Sequence, residues 1–235
     1  MTFRLDARLR LVAQRIEMQS IGTTHRHADI GCDHGHLIAN LLSRQIIDYG
    51  IAIDNKVAPY RNACRTLQRF VEIRTAEVQL ANGMSDLRPG DVDSVSICGL
   101  GGSTIVAIAD AMPETLPDRL ILQPNKDRPL VRAWARTSGF HLIDESHSGG
   151  QRPFNVMTLE RHDRADPAYQ DLPLDLAIEF GPSYLRQDSK RLMASLREER
   201  CYWLARPRRH PLSQQRFDRI EACLRYLGHS FGTPA

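Results

Sequence analysis

The stretch ADIGCDHGHL, residues 28–37, decides the fold of this 235-residue chain. Its pattern predicts a buried strand, a tight turn with two glycines and the start of a helix. A second apolar stretch, Ile51-Ala52-Ile53-Asp54, predicts the next strand, with a carboxylate at its end. In an α/β sheet the backbone of such a turn approaches one end of a nucleoside, and the acid binds the ribose hydroxyls. The two stretches together predict a nucleoside site at the carboxyl edge of a sheet.

The composition of the turn favours S-adenosylmethionine over NAD. Asp33 stands where a dinucleotide-binding turn has its second close-approach glycine. Asp29 or Asp33 could bind the α-ammonium of the methionine moiety, and the helix that follows favours its carboxylate. For Asp54 the alternative is a simple helix cap or turn residue, and for His34 the alternatives are a proton shuttle or hydrogen-bonded scaffolding.

Strands and helices are predicted to alternate five times, which implies a parallel sheet with helices on both faces. The predicted strands cover residues 27–30, 50–53, 71–74, 93–98 and 119–122. Two more strands, 140–145 and 154–160, follow without a helix between them, which predicts a hairpin and one antiparallel edge strand. The expected class is therefore α/β, with the Rossmann-like sheet of the class I methyltransferases.

The pattern changes after residue 162. Residues 1–162 are predicted to form the sheet domain, and residues 163–235 a helical, coiled-coil-like extension. Two amphipathic helices in the extension are predicted to form an antiparallel hairpin. Their apolar positions are Leu185, Leu192, Leu196 and Trp203 in the first, and Phe217, Ile220, Leu224 and Leu227 in the second.

Composition narrows the class of protein further. The net charge of +3 and pI of about 8.7 are compatible with RNA binding without demonstrating it. The five cysteines include no Cys-x-x-Cys pair and no spacing typical of zinc, so no metal is predicted. No apolar run reaches the length of a membrane span, and the N-terminus lacks the apolar core of a signal peptide. A cytoplasmic protein is the simplest expectation.

Three further motifs are predicted at the same edge of the sheet. Asn82-Gly83 follows the third strand, where an amide can bind the adenine edge, although Asn-Gly is also a common turn. The motif Cys98-Gly99-Leu100-Gly101-Gly102 follows the fourth strand. There Cys98 is predicted beside the cofactor, and the glycines either admit a flat base or form an ordinary flexible turn. Leu122-Gln123-Pro124-Asn125 ends the fifth strand, and its two amide side chains could hydrogen-bond a base, although the tetrapeptide alone would be a turn.

Taken together, these motifs resemble the bacterial tRNA (adenine(22)-N1)-methyltransferases, and the resemblance covers nearly the whole chain. It implies transfer of a methyl group from S-adenosylmethionine to N1 of an adenine in the D-arm region of tRNA. It also implies two sets of site residues. The cofactor set is Arg8, Asp29, Gly31, Asp33, His34, Asp54, Asn82 and Gly83. The set near the target base is Gly99, Leu100, Gly101, Gly102, Gln123 and Pro124.

The chain departs from the family pattern at three places. Leu100 stands where methionine is usual, and Asn82 where an acid is common. The segment Gln151-Arg152-Pro153-Phe154 replaces one that usually ends in tyrosine. The third departure bears on the site, because phenylalanine has no hydroxyl.

The expected reaction needs alignment more than covalent chemistry, because N1 of adenine has an in-plane lone pair. Methylation makes the ring cationic, so a nearby acceptor would stabilise it. Asp33 is the first candidate for that role, with the backbone carbonyls of the Gly99 turn second. A paired base would first have to be exposed.

Basic residues of the extension are predicted either to bind tRNA phosphates or to form a solvated helix face. They are Arg186, Lys190, Arg191, Arg197, Arg200, Arg206, Arg208 and Arg209. Three other functions stay open at this stage. They are methylation of another RNA site or a small molecule, RNA binding without catalysis, and nicotinamide-dependent oxidoreduction, which the missing Gly-x-Gly-x-x-Gly spacing disfavours.

Overall fold

A computed structural model describes residues 3–18, 25–147, 154–187, 189–206 and 211–230, and the chain divides into two compact units, residues 1–166 and 167–235. The strands of the first unit are β1 (Arg26–Ile30), β2 (Tyr49–Asp54), β3 (Ala76–Leu80), β4 (Ser94–Leu100), β5 (Arg119–Pro124), β6 (Phe140–His147) and β7 (Asn155–Arg161). Its helices are α1 (Ala7–Glu17), α2 (His36–Ser43), α3 (Val57–Glu72), α4 (Gly102–Ala111) and α5 (Arg128–Thr137).

Seven strands among the described residues form one mixed sheet, in the order β3-β2-β1-β4-β5-β7-β6. The first five are parallel, and a helix follows β1, β2, β4 and β5. This arrangement confirms the predicted Rossmann-like α/β class. The order reverses between β1 and β4, and ligands of such sheets bind at the carboxyl ends beside that reversal.

The predicted antiparallel edge strand is wrong in its position. β7 is antiparallel, but it lies between β5 and β6, and β6 forms the edge. Residues 155–159 of β7 are all buried, whereas Ile143 of β6 is half exposed. A strand covered on both faces needs a continuous buried run, which Val156-Met157-Thr158-Leu159 supplies.

The predicted third strand, residues 71–74, is also wrong. α3 continues to Glu72, and the chain then turns through Arg74 at φ +58° before β3 begins at Ala76. Val71 and Ile73 are exposed at the helix end rather than buried in the sheet. Their β-branched side chains imitate a strand, but the helical spacing that buries Leu67 and Phe70 continues through this segment.

The core lies between the sheet and its helices. Asp6 caps α1, since its Oδ1 accepts a hydrogen bond from the backbone N–H of Leu9 at 2.7 Å. α1 then buries Val12 and Ile16 in an apolar cluster that α2 and α3 also line. The cap and this buried face fix the start of the chain, which includes Arg8, on the sheet.

The second unit is helical, with a 3₁₀ turn (Pro167–Tyr169) and the helices α6 (Leu174–Phe180), α7 (Pro182–Arg186), α8 (Ser189–Leu204) and α9 (Pro211–Ser230). The predicted hairpin is confirmed: α8 packs on α9 and buries Leu192, Leu196, Ile220 and Leu227. The prediction was wrong for Leu185, which is buried on the separate short helix α7, because that helix ends at Arg186, before α8 begins. Arg216 of α9 ties the helices together through ion pairs to Glu179 at 2.7 Å and Glu199 at 2.9 Å. None of the described helices is long and apolar enough to cross a bilayer.

Candidate active site

The turn after β1 is held against the end of β2. The backbone N–H groups of Gly31 and Cys32 donate to the Ile53 carbonyl at 2.8 and 3.0 Å. The Asp54 carboxylate then accepts from the N–H of Asp33 at 3.2 Å and from that of Lys56 at 3.0 Å. The structure therefore brings together the two predicted halves of the nucleoside site, with Asp54 joining both turns.

Gly35 shows why this turn needs glycine. It has φ +68°, and a side chain there would lie 3.3 Å from the Cα of Ala63 on α3. A Cβ would therefore be strained both by conformation and by contact with the next helix. The glycine seats the N-terminus of α2 at the carboxyl edge of the sheet.

Asp29 is the buried acid of the site. Its Oδ1 accepts a hydrogen bond from the Ser96 hydroxyl at 2.6 Å, and no group in the described part of the chain donates to Oδ2. Burial raises the pKa of Asp29 to about 6, and the Asp54 charge adds to the rise, while Ser96 and Arg8 oppose it. One oxygen is thus available to a ligand that carries positive charge.

Asp33 and His34 have a different environment. Their side chains are 70% and 50% exposed, and they face each other at 3.6 Å. The His34 ring also stacks on His36, with centroids 5.5 Å apart. Asp33 contributes its backbone N–H to the turn, whereas its carboxylate projects into solvent.

Asn82 and Gly83 follow β3 after one intervening residue, Ala81, in the order predicted. The Oδ1 of Asn82 accepts from the Asn55 amide at 3.4 Å, so the residues after β2 and β3 lie side by side. Gly83 packs beneath them against Ile108 of α4. Both residues therefore border the edge at which Asp54 lies.

Gln123 organises the turn after β4. Its Oε1 accepts from the N–H of Gly99 at 3.0 Å and from Nη1 of Arg8 at 3.2 Å. Its Nε2 donates to Asn125 Oδ1 at 3.1 Å, and the Asn125 amide donates to the Gly99 carbonyl at 2.6 Å. The three residues Gly99, Gln123 and Asn125 close a ring of hydrogen bonds, and Arg8 is anchored to it.

The glycines after Gly99 allow two loops to approach closely. The N–H of Gly102 donates to the Lys126 carbonyl at 3.0 Å. A Cβ on Gly102 would overlap the carbonyl oxygen of Asp127 and lie 3.0 Å from that of Lys126. The loops after β4 and β5 therefore form one surface, to which Leu100 and Pro124 contribute as register partners.

Cys98 is the last residue of the buried part of β4. Its side chain is buried in the apolar cluster beneath the sheet, and its Sγ lies 4.0 Å from the Ile121 carbonyl. Burial raises the pKa of the thiol above its usual range, so the sulfur stays neutral.

Comparisons with known proteins identify the kind of domain that carries this site. The family model of the methyltransferase domain matches residues 5–157, more than half of the chain. The chain belongs to this methyltransferase family. The methyltransferase is also 29% identical over 184 residues to the tRNA (adenine(22)-N(1))-methyltransferase of Bacillus subtilis strain 168, covering 76% of this chain and 74% of that protein. This match confirms the resemblance predicted from the sequence.

Solved structures share the fold. The B. subtilis M1A22 tRNA methyltransferase TrmK matches with a TM-score of 0.80 and 24% identity, covering 97% of this chain and 98% of that one. M. capricolum TrmK, in complex with its cofactor product S-adenosyl-homocysteine, matches with a TM-score of 0.76 and 23% identity over 95% and 97%. The methyltransferase therefore has the fold of these proteins along nearly its whole length.

Several predicted tRNA-contacting residues of the methyltransferase are engaged within the second unit. Arg186 donates to the backbone carbonyls of Ala168 and Gln170, and Arg200 pairs with Glu221. Arg206 lies over the Tyr202 ring. Lys190, Arg191 and Arg197 are exposed on α8, while Arg208 and Arg209, like Gln151-Arg152-Pro153, lie outside the described residues.

Sequence reasoning missed three residues of these surfaces, and it noted a fourth, Asn125, only as an amide that could hydrogen-bond a base. Ser96 binds Asp29, Asn125 completes the Gln123 ring, and the Lys126 side chain lies against Gly101. Arg225 joins Arg197 and Arg200 in a groove of about 280 Å³ between α8 and α9. Asn125 and Lys126 follow Pro124 directly, so their position at a strand end was a usable signal. Ser96 and Arg225 depend on which elements become neighbours, for which the sequence has no local signal.

The described ranges contain no group of three or more His, Cys, Asp and Glu side chains arranged to hold a metal ion.

Proposed function

We propose that this protein transfers a methyl group from S-adenosyl-L-methionine to N1 of adenine 22 in tRNA. The single observation that carries the proposal is the joined pair of turns at residues 31–35 and 54–56, with Asp29 buried between them and the Gln123 ring. The B. subtilis relative, whose name states this activity, supports the choice of substrate.

The residues present fit the cofactor. Oδ2 of Asp29 can accept from the α-ammonium, and the first N–H groups of α2 can bind the methionine carboxylate. Each Asp54 oxygen accepts one backbone hydrogen bond and retains a lone pair for a ribose hydroxyl. Asn82 offers an amide to the adenine edge. The bound cofactor supplies a methyl group on a sulfonium, which is activated toward attack by a ring nitrogen.

The protein contributes position and charge. The Gln123 ring fixes the Gly99 turn, and the close contact at Gly102 holds that turn against the loop after β5, so a flat base can rest on a rigid surface. Rigid alignment of nucleophile and methyl can lower the barrier by several kcal/mol. No side chain needs to take a proton from N1, because its lone pair is already free.

The sequence leaves two roles open to Asp33, which are binding of the cofactor's α-ammonium and stabilisation of the cationic methylated base. We assign the first role to Asp29 and the second to Asp33. Asp29 is buried and has an oxygen to offer, so it is the better partner for the ammonium. Asp33 then remains for the cationic purine ring. Its exposure means that water screens this charge until tRNA covers it.

Methyl transfer to tRNA tests the proposal directly. The protein is incubated with unmodified tRNA and methyl-labelled S-adenosyl-L-methionine, and the digested RNA is analysed for 1-methyladenosine by mass spectrometry. Label in 1-methyladenosine is expected for the unmodified tRNA with adenine at position 22 and not for a transcript with guanine there. Label in another nucleoside, or only in a small molecule, would refute the substrate. Cofactor binding without transfer would indicate a non-catalytic RNA-binding protein.

The groove between α8 and α9 is the surface that we propose for the phosphates of tRNA. Arg197, Arg200 and Arg225 line it with one carboxylate, Glu221, which Arg200 neutralises. In the described part of the chain Arg197 and Arg225 are exposed and make no ion pair. Two unpaired guanidinium groups at one groove suit a phosphate backbone. A cytoplasmic location, with access to tRNA, is part of the proposal.

Replacing both Arg197 and Arg225 by glutamine is expected to weaken tRNA binding about 10-fold near 0.1 M salt and to reduce the slope of log K against log salt by about 2. Filter binding over a salt series measures both quantities. The control is the double variant Arg74→Gln and Arg88→Gln, which removes the same charge from exposed positions of the first unit. Equal losses in both doubles would show that only net charge matters.

A further inference from the structure

A buried chain of polar side chains runs between β1 and β4 toward the candidate site. His25 Nε2 lies 2.7 Å from the Ser94 hydroxyl, which lies 2.7 Å from Nδ1 of His27. Nε2 of His27 lies 2.9 Å from the Ser96 hydroxyl, which reaches Asp29 at 2.6 Å. The exposed fractions of these residues are all between 0% and 5%. These hydrogen bonds therefore link the amino edge of the sheet to the carboxyl edge, and the three middle residues, Ser94, His27 and Ser96, are fully buried.

The number of hydrogens that this chain can hold is fixed by its chemistry. Four hydrogen bonds join five groups, and each bond needs one hydrogen. Ser94, His27 and Ser96 supply three, because a hydroxyl and a neutral imidazole each have one to donate. The fourth must come from one of the two ends, either from Nε2 of His25 or from the carboxyl of Asp29.

The other ring nitrogen of His25 limits that choice. The His25 ring also hydrogen-bonds the backbone of Ile46, and the contact favours the protonated ring, as expected when a carbonyl accepts. While that bond is kept, a hydrogen on Nε2 makes His25 an imidazolium. The chain is then satisfied either by charged His25 with ionised Asp29, or by neutral His25 with protonated Asp29.

We propose that the chain His25–Ser94–His27–Ser96–Asp29 is a proton relay in which His25 and Asp29 share one proton. In the transfer, the O–H bond of Asp29 breaks and an N–H bond forms on Nε2 of His25. Ser96, His27 and Ser94 each accept one proton and donate one, so their charges do not change. The two arrangements differ only in the direction of the four hydrogen bonds. His25, Ser94, His27 and Ser96 are thus positioning residues that act through Asp29.

The surroundings of the two ends make this sharing feasible. Asp29 faces Arg8 from α1, Asp54 from β2, Cys98 from β4 and Cys32 from the turn. His25 faces Asp93, Asp48 and Arg119, together with His27. Burial is the largest influence at both ends, since it raises the pKa of Asp29 to about 6 and lowers the pKa of His25 from 6.5. Burial therefore shifts the pKa values of the two ends in opposite directions and makes a shared proton feasible.

His27, in the middle of the relay, is suited to pass a proton on rather than to hold it. Burial lowers the pKa of His27 to about 3, and the neighbouring His25 charge lowers it further. His27 therefore stays neutral, with one nitrogen donating and the other accepting. Its tautomer reports the state of the relay: Nε2–H when Asp29 is ionised, and Nδ1–H when Asp29 is protonated.

The consequence for the site rests on the proposed function. When the cofactor's ammonium binds at Asp29, it favours the ionised carboxylate, and the proton moves to His25 instead of leaving the protein. Binding of S-adenosyl-L-methionine to the native protein between pH 5 and 7 is therefore expected to release almost no proton. Ser94→Ala removes the hydroxyl that joins His25 to His27 and so interrupts the relay. Binding of S-adenosyl-L-methionine to this variant is therefore expected to release up to about half a proton at the pH where Asp29 is half protonated.

Calorimetry in buffers of different ionisation enthalpy measures this release. Val95→Ala is the matched control, because it removes a buried side chain from the same strand without touching the relay, and it is expected to resemble the native protein. Equal proton release by native and Ser94→Ala proteins would overturn the relay.

The cofactor-free native protein gives an independent test by NMR, using the ring nitrogens of His25 and His27 and the carboxyl carbon of Asp29. His25 and Asp29 are expected to titrate as a coupled pair, with two steps visible at each group, while the His27 tautomer changes. Single, unrelated steps and an unchanging tautomer would refute the relay whatever the cofactor does. A coupled titration in a protein that fails to bind S-adenosyl-L-methionine would refute the proposed function and leave the relay standing.

Discussion

Asp54→Ala is expected to weaken binding of S-adenosyl-L-methionine about 100-fold. Asp54 is the proposed partner of the ribose hydroxyls, and it also holds the N–H groups of Asp33 and Lys56. Loss of the two hydrogen bonds from the ribose hydroxyls to the charged carboxylate costs about 3 kcal/mol, which corresponds to about 100-fold in Kd. Isothermal titration calorimetry at neutral pH measures the change.

The control for Asp54 is Asp91, a carboxylate that also accepts a hydrogen bond from a backbone N–H but lies away from the candidate site. Asp91 accepts a backbone hydrogen bond from Arg88 at 2.8 Å in the loop before β4. Asp91→Ala should bind the cofactor like the native protein, since the amino edge of the sheet is not expected to touch it. The ribose role would be wrong if Asp54→Ala bound within threefold of native while remaining folded by circular dichroism.

Local patterns in the sequence were sufficient to predict how the site is framed. The turn at residues 31–35, Asp54 at the end of β2 and the Gly99 motif at the end of β4 each follow a buried strand, and parallel strands end at one edge. Once the sheet order is known, these residues must lie together. The same reasoning places Gln123 and Pro124 on the edge, because β5 pairs with β4 in register.

Features that depend on which strands lie side by side in the sheet could not be predicted from the sequence. Ser96 lies beside Asp29 because β1 and β4 are in register, and nothing in its own segment announces a partner. Similarly, the continuous buried run of β7 suits a strand that lies between two others, and a hairpin prediction does not decide which of its two strands takes that place. Spacing also located Asp33 in the turn without revealing that its carboxylate faces solvent.

Gly102→Ala is expected to lower the free energy of unfolding by about 2 kcal/mol and to reduce methyl transfer about 100-fold. The added Cβ would overlap the Asp127 carbonyl oxygen, and backbone cannot rotate aside as a flexible side chain can. The loops after β4 and β5 must therefore separate. Since the Gln123 ring joins the same two loops, the proposed base-binding surface would shift with them, and misplacement by about 1 Å can cost about 100-fold in rate.

Gly101→Ala distinguishes backbone overlap from a general need for glycine in this turn. Gly101 has φ −72°, which any residue adopts, and a Cβ there would meet Cε of the Lys126 side chain at 3.2 Å. A lysine side chain can move, so Gly101→Ala should unfold within about 0.5 kcal/mol of the native protein. Urea denaturation of both variants measures the difference. If the two alanines destabilised the protein equally, the turn would need glycine for flexibility, and close approach of the loops would not be what Gly102 provides.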